Sequence, residues 1–448
     1  MDGEAQTQHP IHRRNDVRRC RGEVNVERHT ATASRSSSKA ILTTFLQTTT
    51  VVDPLTIRFD LKQAWPAFPF VLTQNVGMIA SPAAVQKAGA DFNRNPVGAG
   101  AGPFELVSYK PKESIIVRRN VGYHGGEAYL DQITFVAPNG SGDSGRLDAL
   151  DTGTLQAAVF STDPAVIASA KAKYPSIDRY SFAGSIVLMN SGVELTCQGG
   201  NPAGHCAGKA DGTKVRTQPP TADLRVRKAV VAAIDTRVVN DRAWSGKGLA
   251  DSALLPKQFP WDPGMTGATY DPTEAKRLVD EVKRTTGWDG GVRVLSSNDQ
   301  VSSTLALTVK TLLETVGMRV DLSNQKDGQA MISQVVVDRD FDIVVPWSLS
   351  ISDDDGAYNS IFSNLNSPGA RTGYANADMD AAIDLLRKAS TDDAKRTAYQ
   401  RITEVFNRDA PSAVLAARVT AIAHSPKLHG FQQSAAAIVL LDKVWLSA

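Results

Sequence analysis

Three short stretches carry residue types that could do chemistry. Gly142-Asp143-Ser144-Gly145 copies the nucleophile box of serine proteases, and Gly204-His205-Cys206 faintly copies a histidine box. A hydrolase built on them would use Ser144 as nucleophile and His205 as its base. In that arrangement the histidine precedes the serine, and here it follows. The simpler expectation is a polar turn after a strand that ends at Ala137.

Gly98-Ala99-Gly100-Ala101-Gly102 resembles a phosphate-cradling glycine loop, which must follow a strand and open a helix. Here Pro103 comes next, Phe104 to Tyr109 alternates like a strand, and no Gly-Lys-Ser follows. A nucleotide site therefore fails its context. The third stretch is Cys197 to Cys206, CQGGNPAGHC, a loop rich in Gly. Its cysteines either close a small disulfide, which implies an oxidising compartment, or stand as two free thiols. We expect the disulfide. His205 lies between them, but no second ligand pair stands at zinc-site spacing, so no metal site is expected.

The elements that position these residues come from periodicity. Thr50 to Leu61 alternates like a half-buried strand around an Asp53-Pro54 turn, and Ser114 to Arg119 and Leu130 to Ala137 read as strands. Leu147 to Ala170 reads as two short helices around a strand at Ala157 to Ser161. Ser185 to Asn190 has the length of a buried strand. Ala222 to Trp244 predicts one amphipathic helix, with Val226, Ala229, Val230, Ala233 and Ile234 on one face. Asp271-Pro272 caps and opens a helix that runs to Gly287. Strands at Gly291 to Ser296, Met318 to Leu322 and Phe341 to Trp347 then alternate with a helix over Ser302 to Val316, and a helical pair spans Met379 to Arg408. This alternation is the α/β signature.

At 448 residues the chain is long enough for two or three domains. A formal net charge of +2 gives no electrostatic reason to expect nucleic acid or an anionic membrane as partner. No apolar run reaches the length of a membrane span; Ile41 to Ile57 is broken by Asp53 and Pro54. The first forty residues hold a scatter of Arg, almost no Leu, Ile or Phe, and no period, which predicts a disordered tail.

Asn95-Pro96-Val97-Gly98 followed by Gly102-Pro103-Phe104-Glu105-Leu106 resembles a motif of the family-five extracellular solute-binding proteins of peptide-type ABC importers. Val226 to Asp235, Tyr270-Asp271-Pro272 with Leu278, Leu312 to Leu322, and Asp380 to Pro411 resemble further blocks of that family, in its order. The resemblance covers Val51 to the C-terminus. It implies an α/β fold of two periplasmic-binding-protein-like lobes joined by a hinge, with a ligand cleft between the lobes and part of the first lobe missing. The implied organisation is a tail over 1–40, the first lobe over 41–190, the second over 191–423 and a return segment over 424–448. Val187 to Asn190 and Val414 to His424 would be the crossings.

For the ligand, the resemblance points to the segment after Phe341 to Trp347. Peptide-binding relatives place an Asp three residues after that Trp, as partner of the ligand's ammonium; here the position is Ser350. The candidate ligand-binding residues are thus Trp347, Ser350, Asp353, Asp355 and Asn190. Trp347 is read as either core or stacking platform, the aspartates as either ligand contacts or a solvated turn, and Asn190 as either a cleft amide or a strand end.

The expected function is the substrate-binding component of an ABC importer for peptides or similarly sized polar solutes. No catalytic residue and no cofactor is expected. The expected partners are the solute and the importer's permease and ATPase subunits, with the chain itself a monomer outside the cytoplasmic membrane. The alternatives are a secreted serine hydrolase and a non-functional truncated product. Because the resemblance starts near Val51, the chain is expected to be N-terminally incomplete, with Met1 to about Ser38 out of frame and its signal segment absent.

Overall fold

A computed structural model describes residues 2–4, 21–31, 34, 36, 38–53, 56–137, 142–197, 204–351, 357–367, 370–433 and 438–447. The chain divides into two compact units. The first comprises Met1–Val159, Ala170–Ile177 and Ile422–Ala448; the second comprises Phe160–Ser169 and Asp178–Ala421.

The first unit opens with helices α1 (Arg21–Thr30) and α2 (Lys39–Phe45) and the hairpin of β1 (Leu46–Asp53) with β2 (Thr56–Leu61). Thr49 faces Phe59 and Val51 faces Ile57 across that hairpin. Helix α1 lies inside the segment expected to be a tail, and the structure corrects that expectation. Gly22, Asn25 and Val26, spaced one helical turn apart, are buried, and Asn25 Nδ2 donates to Val76 O at 2.8 Å. The stripe is too narrow to signal a helix by period, so tertiary contact decides. Phe45, Trp65 and Phe68 pack as tilted and edge-on rings with centroids 5.3 and 5.7 Å apart.

A second sheet orders β3 (Phe104–Lys110), β4 (Ser114–Arg119) and β5 (Gln132–Val136) as an antiparallel meander. Tyr109, Ile115 and Phe135 stand in one row across it, and all three are exposed. The serine box is not a turn but the start of helix α3 (Gly142–Asp151). Asp143 is buried in its first turn and accepts from Arg146 Nη1 at 2.5 Å. An acidic group there complements the helix N-terminus.

The second unit is built on a mixed sheet. The five longest of its seven strands are β6 (Ser176–Met189, in this unit from Asp178), β7 (Gly291–Ser297), β8 (Arg319–Lys326), β9 (Ile343–Ser348) and β10 (Ser412–His424, in this unit to Ala421). The order is β10-β6-β9-β7-β8. β7 pairs in parallel with both β8 and β9, and β9 pairs antiparallel with β6. Val187 to Met189, expected to be a crossing that leaves the first lobe, thus lies within the second unit. Its pairing with β9, Met189 against Ile343 and Leu188 against Val344, puts it mid-sheet.

The helix expected over Ala222 to Trp244 is two helices, α4 (Leu224–Ala233) and α5 (Thr236–Trp244). Ile234 is extended, and the Asp235 carboxylate accepts from Arg237 N at 2.9 Å, which caps α5. The apolar period runs on through Ile234, so period alone hides the break. α6 (Pro272–Thr286) starts and stops where its sequence says: Asp271 caps it, and Gly287 ends it at φ 75°. α7 (Gln300–Thr315) carries the chain from β7 to β8. Val294, Leu305, Val309, Leu313, Ile343 and Val345 form a continuous buried core between helices and sheet. α8 (Ala357–Leu365), α9 (Ala377–Lys388) and α10 (Asp392–Asp409) complete the unit.

Candidate functional site

The end of β9 carries the residues singled out for ligand contact. Trp347 is half-buried, and its indole Nε1–H, sealed from solvent, meets no acceptor among the described residues. The guanidinium of Arg371 lies over its ring, 5.9 Å from the centroid. Ser350, three residues on, is exposed and shares a hydrogen bond with the Ser181 hydroxyl. Next to it, Phe182 and Ile351 exchange backbone hydrogen bonds at 2.9 and 3.2 Å, which fixes where Ser350 stands. Asp353 and Asp355 lie outside the described residues.

Asn190 is not part of this group. It is 1% exposed, and both ends of its amide are used: Nδ2 donates to Phe341 O at 2.9 Å, and Oδ1 accepts from Gly192 N at 2.9 Å. Thr221 Oγ1 joins the clasp with a 2.6 Å bond to Asn190 O. An amide spent on backbone partners has no donor left for a ligand. The structure therefore makes Asn190 a tie between the end of β6 and the start of β9.

Two arginines that sequence reading did not single out cluster with Trp347. Arg371 sits in the loop before α9, and Arg339 sits before β9 in a left-handed conformation at φ 56°. Arg339 Nη1 donates to the Arg371 carbonyl at 2.7 Å. Neither arginine has a carboxylate partner among the described residues. Burial and the Arg371 charge pull the Arg339 guanidinium down to about 10, and burial lowers Arg371 as well. Asp338 and Asp340 flank Arg339 in sequence and suggest a paired surface cation. In the structure Asp340 turns instead to Arg293, at 2.9 Å.

The cysteine pair is bonded, with Cα atoms 5.5 Å apart. It closes the loop beyond the two-stranded ribbon in which Thr196 faces Lys214. His205 Nε2 lies 3.4 Å from Asp340 Oδ1 in the second unit, and Ser144 is exposed on α3 in the first. The described residues contain no cluster of three potential metal ligands and no helix long and apolar enough to cross a membrane.

Comparison with known proteins shows the family and the fold. The family model described as bacterial extracellular solute-binding proteins, family 5 Middle, matches residues 23–369, beginning ahead of the Val51 at which the motif resemblance starts. Among curated relatives, the glutathione-binding protein GsiB of Salmonella choleraesuis is 24% identical over 393 residues, covering 86% of this chain and 71% of that protein. Among solved structures, a dipeptide-binding protein from Pseudoalteromonas in complex with Met-Leu aligns at TM-score 0.73 and 15% identity, over 100% of this chain and 86% of that one. Haemophilus influenzae OppA, in complex with RPPGFSPFR, aligns at TM-score 0.74 and 15% identity, over 95% of this chain and 83% of that one. The fold is thus the two-lobe α/β fold of periplasmic binding proteins. These proteins hold a solute without transforming it, and the serine-hydrolase reading falls with that. The chain is a member of family 5 of the bacterial extracellular solute-binding proteins, the solute-capturing components of ABC importers, and not an enzyme.

Proposed function

We propose that this protein captures peptides or similarly sized polar solutes outside the cytoplasmic membrane and hands them, as a monomer, to the permease and ATPase subunits of an importer. The observation that carries the reading is the family match over residues 23–369. The glutathione-binding relative and the neighbours solved with Met-Leu and RPPGFSPFR support peptides as the class to try first. Trp347 and Ser350 would meet the ligand, the indole as a flat apolar wall and the hydroxyl as a hydrogen-bonding group. Asp353 and Asp355 remain candidates for the same role.

Ser350 shapes the expectation further. A buried ammonium needs a carboxylate partner, and a serine supplies none. Peptides with an acetylated amine should therefore bind about as well as their free counterparts. A thermal-shift screen followed by calorimetry tests this. A ligand present at about a hundred times its dissociation constant stabilises the folded protein by about 2.7 kcal/mol. If no peptide and no glutathione shifts the unfolding temperature, the peptide reading is lost. If acetylation abolishes binding and Asp353→Asn does the same, Asp353 holds the ammonium and Ser350 is not its substitute.

A further inference from the structure

The second unit shows how this protein treats a buried arginine. Arg387, among its most buried side chains, pairs with Asp384. Arg227 spends its donors on the carbonyls of Thr221, Ala222 and Asp409 at 3.0, 3.0 and 3.3 Å. Withdrawing a cation from water is costly unless an anion or several carbonyls replace the lost hydration.

Arg371 breaks this pattern. It is half-buried against Trp347, yet no donor of its guanidinium meets an acceptor among the described residues. Arg339 adds a second positive charge nearby and donates to the Arg371 carbonyl, which holds that loop in place. The indole Nε1–H is a second unmet donor beside it. One charged and one neutral donor without an acceptor among the described residues thus belong to the same cluster, and the Arg339 charge is tied to it through the Arg371 carbonyl. An arginine resting on an aromatic ring keeps its N–H fork in plane, and that fork matches the two oxygens of a carboxylate.

We propose that Arg371, backed by Trp347 and positioned by Arg339, binds a carboxylate of the transported solute. The protein therefore selects its ligand by the acid end and not by the amine. This rests on the solute-binding reading above and specifies which part of the solute is recognised. It accounts for an uncharged Ser350 and for two arginines that have no carboxylate partner among the described residues, since a ligand carried by its carboxylate needs no ammonium partner. On binding, the solute's carboxylate would supply a counter-charge to Arg371.

The test uses the full chain and two matched probe pairs: trialanine with trialanine amide, and glutathione with its diethyl ester. Calorimetry on the wild type should show the free acid of at least one pair binding about tenfold or more tightly than its blocked partner, as expected for a desolvated charge pair. Arg371→Gln should abolish the difference between the acid and its blocked partner. Arg371→Lys should restore part of the difference, because the charge returns without the fork. Trp347→Phe, which keeps the ring and removes the N–H, should weaken the acid by a smaller factor. Circular dichroism and unfolding temperature confirm that each variant is folded. Equal binding of acid and blocked probe to the wild type overturns the inference alone and leaves the solute-binding reading standing. So does an acid preference that survives in folded Arg371→Gln. Failure of all four probes to bind the wild type overturns the peptide reading and this inference together.

Discussion

The meander of β3, β4 and β5 and the sheet around β7 and β9 are both rich in branched apolar residues, but they end up in different surroundings. In the first unit, Ile115 and Phe135 remain 38% and 45% exposed, in one row with Tyr109. In the second, Val294, Ile343 and Val345 have no exposed surface at all. The sequences already differ in the way the physics requires. β9 begins as an unbroken run, Ile-Val-Val, because both faces of its sheet are covered. β4, Ser-Ile-Ile-Val-Arg-Arg, mixes apolar and charged positions and is nowhere fully buried. A run of branched residues announces a strand; the number of its covered faces decides how much stability that strand contributes.

The largest expected effect tests this difference directly. Leu313→Ala, at a fully buried α7 position facing the sheet, should cost about 2–5 kcal/mol in denaturant unfolding. Ile115→Ala on the open meander should cost less than about 1 kcal/mol. Equal costs would mean that the meander is as tightly packed as the core, and the contrast would fail.

An intermediate effect comes from the disulfide. Replacing both Cys197 and Cys206 by Ser frees a short loop, with a sequence separation of 9, and should destabilise the second unit by about 2–3 kcal/mol. Mass spectrometry finding two free thiols in protein made in an oxidising compartment, or a double variant as stable as wild type, would remove the disulfide from the account.

The smallest effect concerns acid. Hydrogen bonds from Arg225 and Arg237 chiefly hold Asp223 and Asp235 below the usual carboxylate range. Because their folded-state values are depressed, their contribution is complete above about pH 4 and is lost as pH falls through the folded values. Both also cap helices, α4 and α5, where removal costs about 1 kcal/mol each. The share of acid unfolding that these two aspartates cause should set in near about pH 4 and below, and Asp223→Asn with Asp235→Asn should flatten that part of the profile. A double variant whose stability falls below about pH 4 as steeply as the wild type would show that other groups control this part of the acid response.

Much of the second unit was legible because its signals are local. Asp271, Pro272 and Gly287 bracket α6 by chemistry that acts within one turn. The break between α4 and α5 was not legible, since Asp235 continues an amphipathic period while its carboxylate ends it. Helix α1 was missed because its buried stripe is three residues wide and means nothing until α2 packs on it. Of the candidate site, Trp347 and Ser350 were singled out through the family's motifs, and the structure places both at the end of β9. Asn190 stayed undecided between cleft amide and strand end, because a polar residue at a strand end looks the same whether it faces a ligand or ties down backbone; its amide ties down backbone. Arg339 and Arg371 left no trace in the sequence. Being unpaired belongs to the surroundings of a residue, and Asp338 and Asp340 advertised a pairing that Arg339 does not make.

The clasp around Asn190 has a consequence for how solvent reaches the second unit. Asn190 N–H donates to Asp342 O at 2.9 Å, Thr221 Oγ1 bridges the carbonyls of both residues, and Asp342 Oδ2 holds Arg293 N at 2.9 Å. Four chain segments are thus locked at one corner by bonds that must all break together. No local fraying opens such a corner, so its amide protons can trade with water only when the whole unit unfolds. The clock for isotope exchange at Asn190 is the unfolding equilibrium itself.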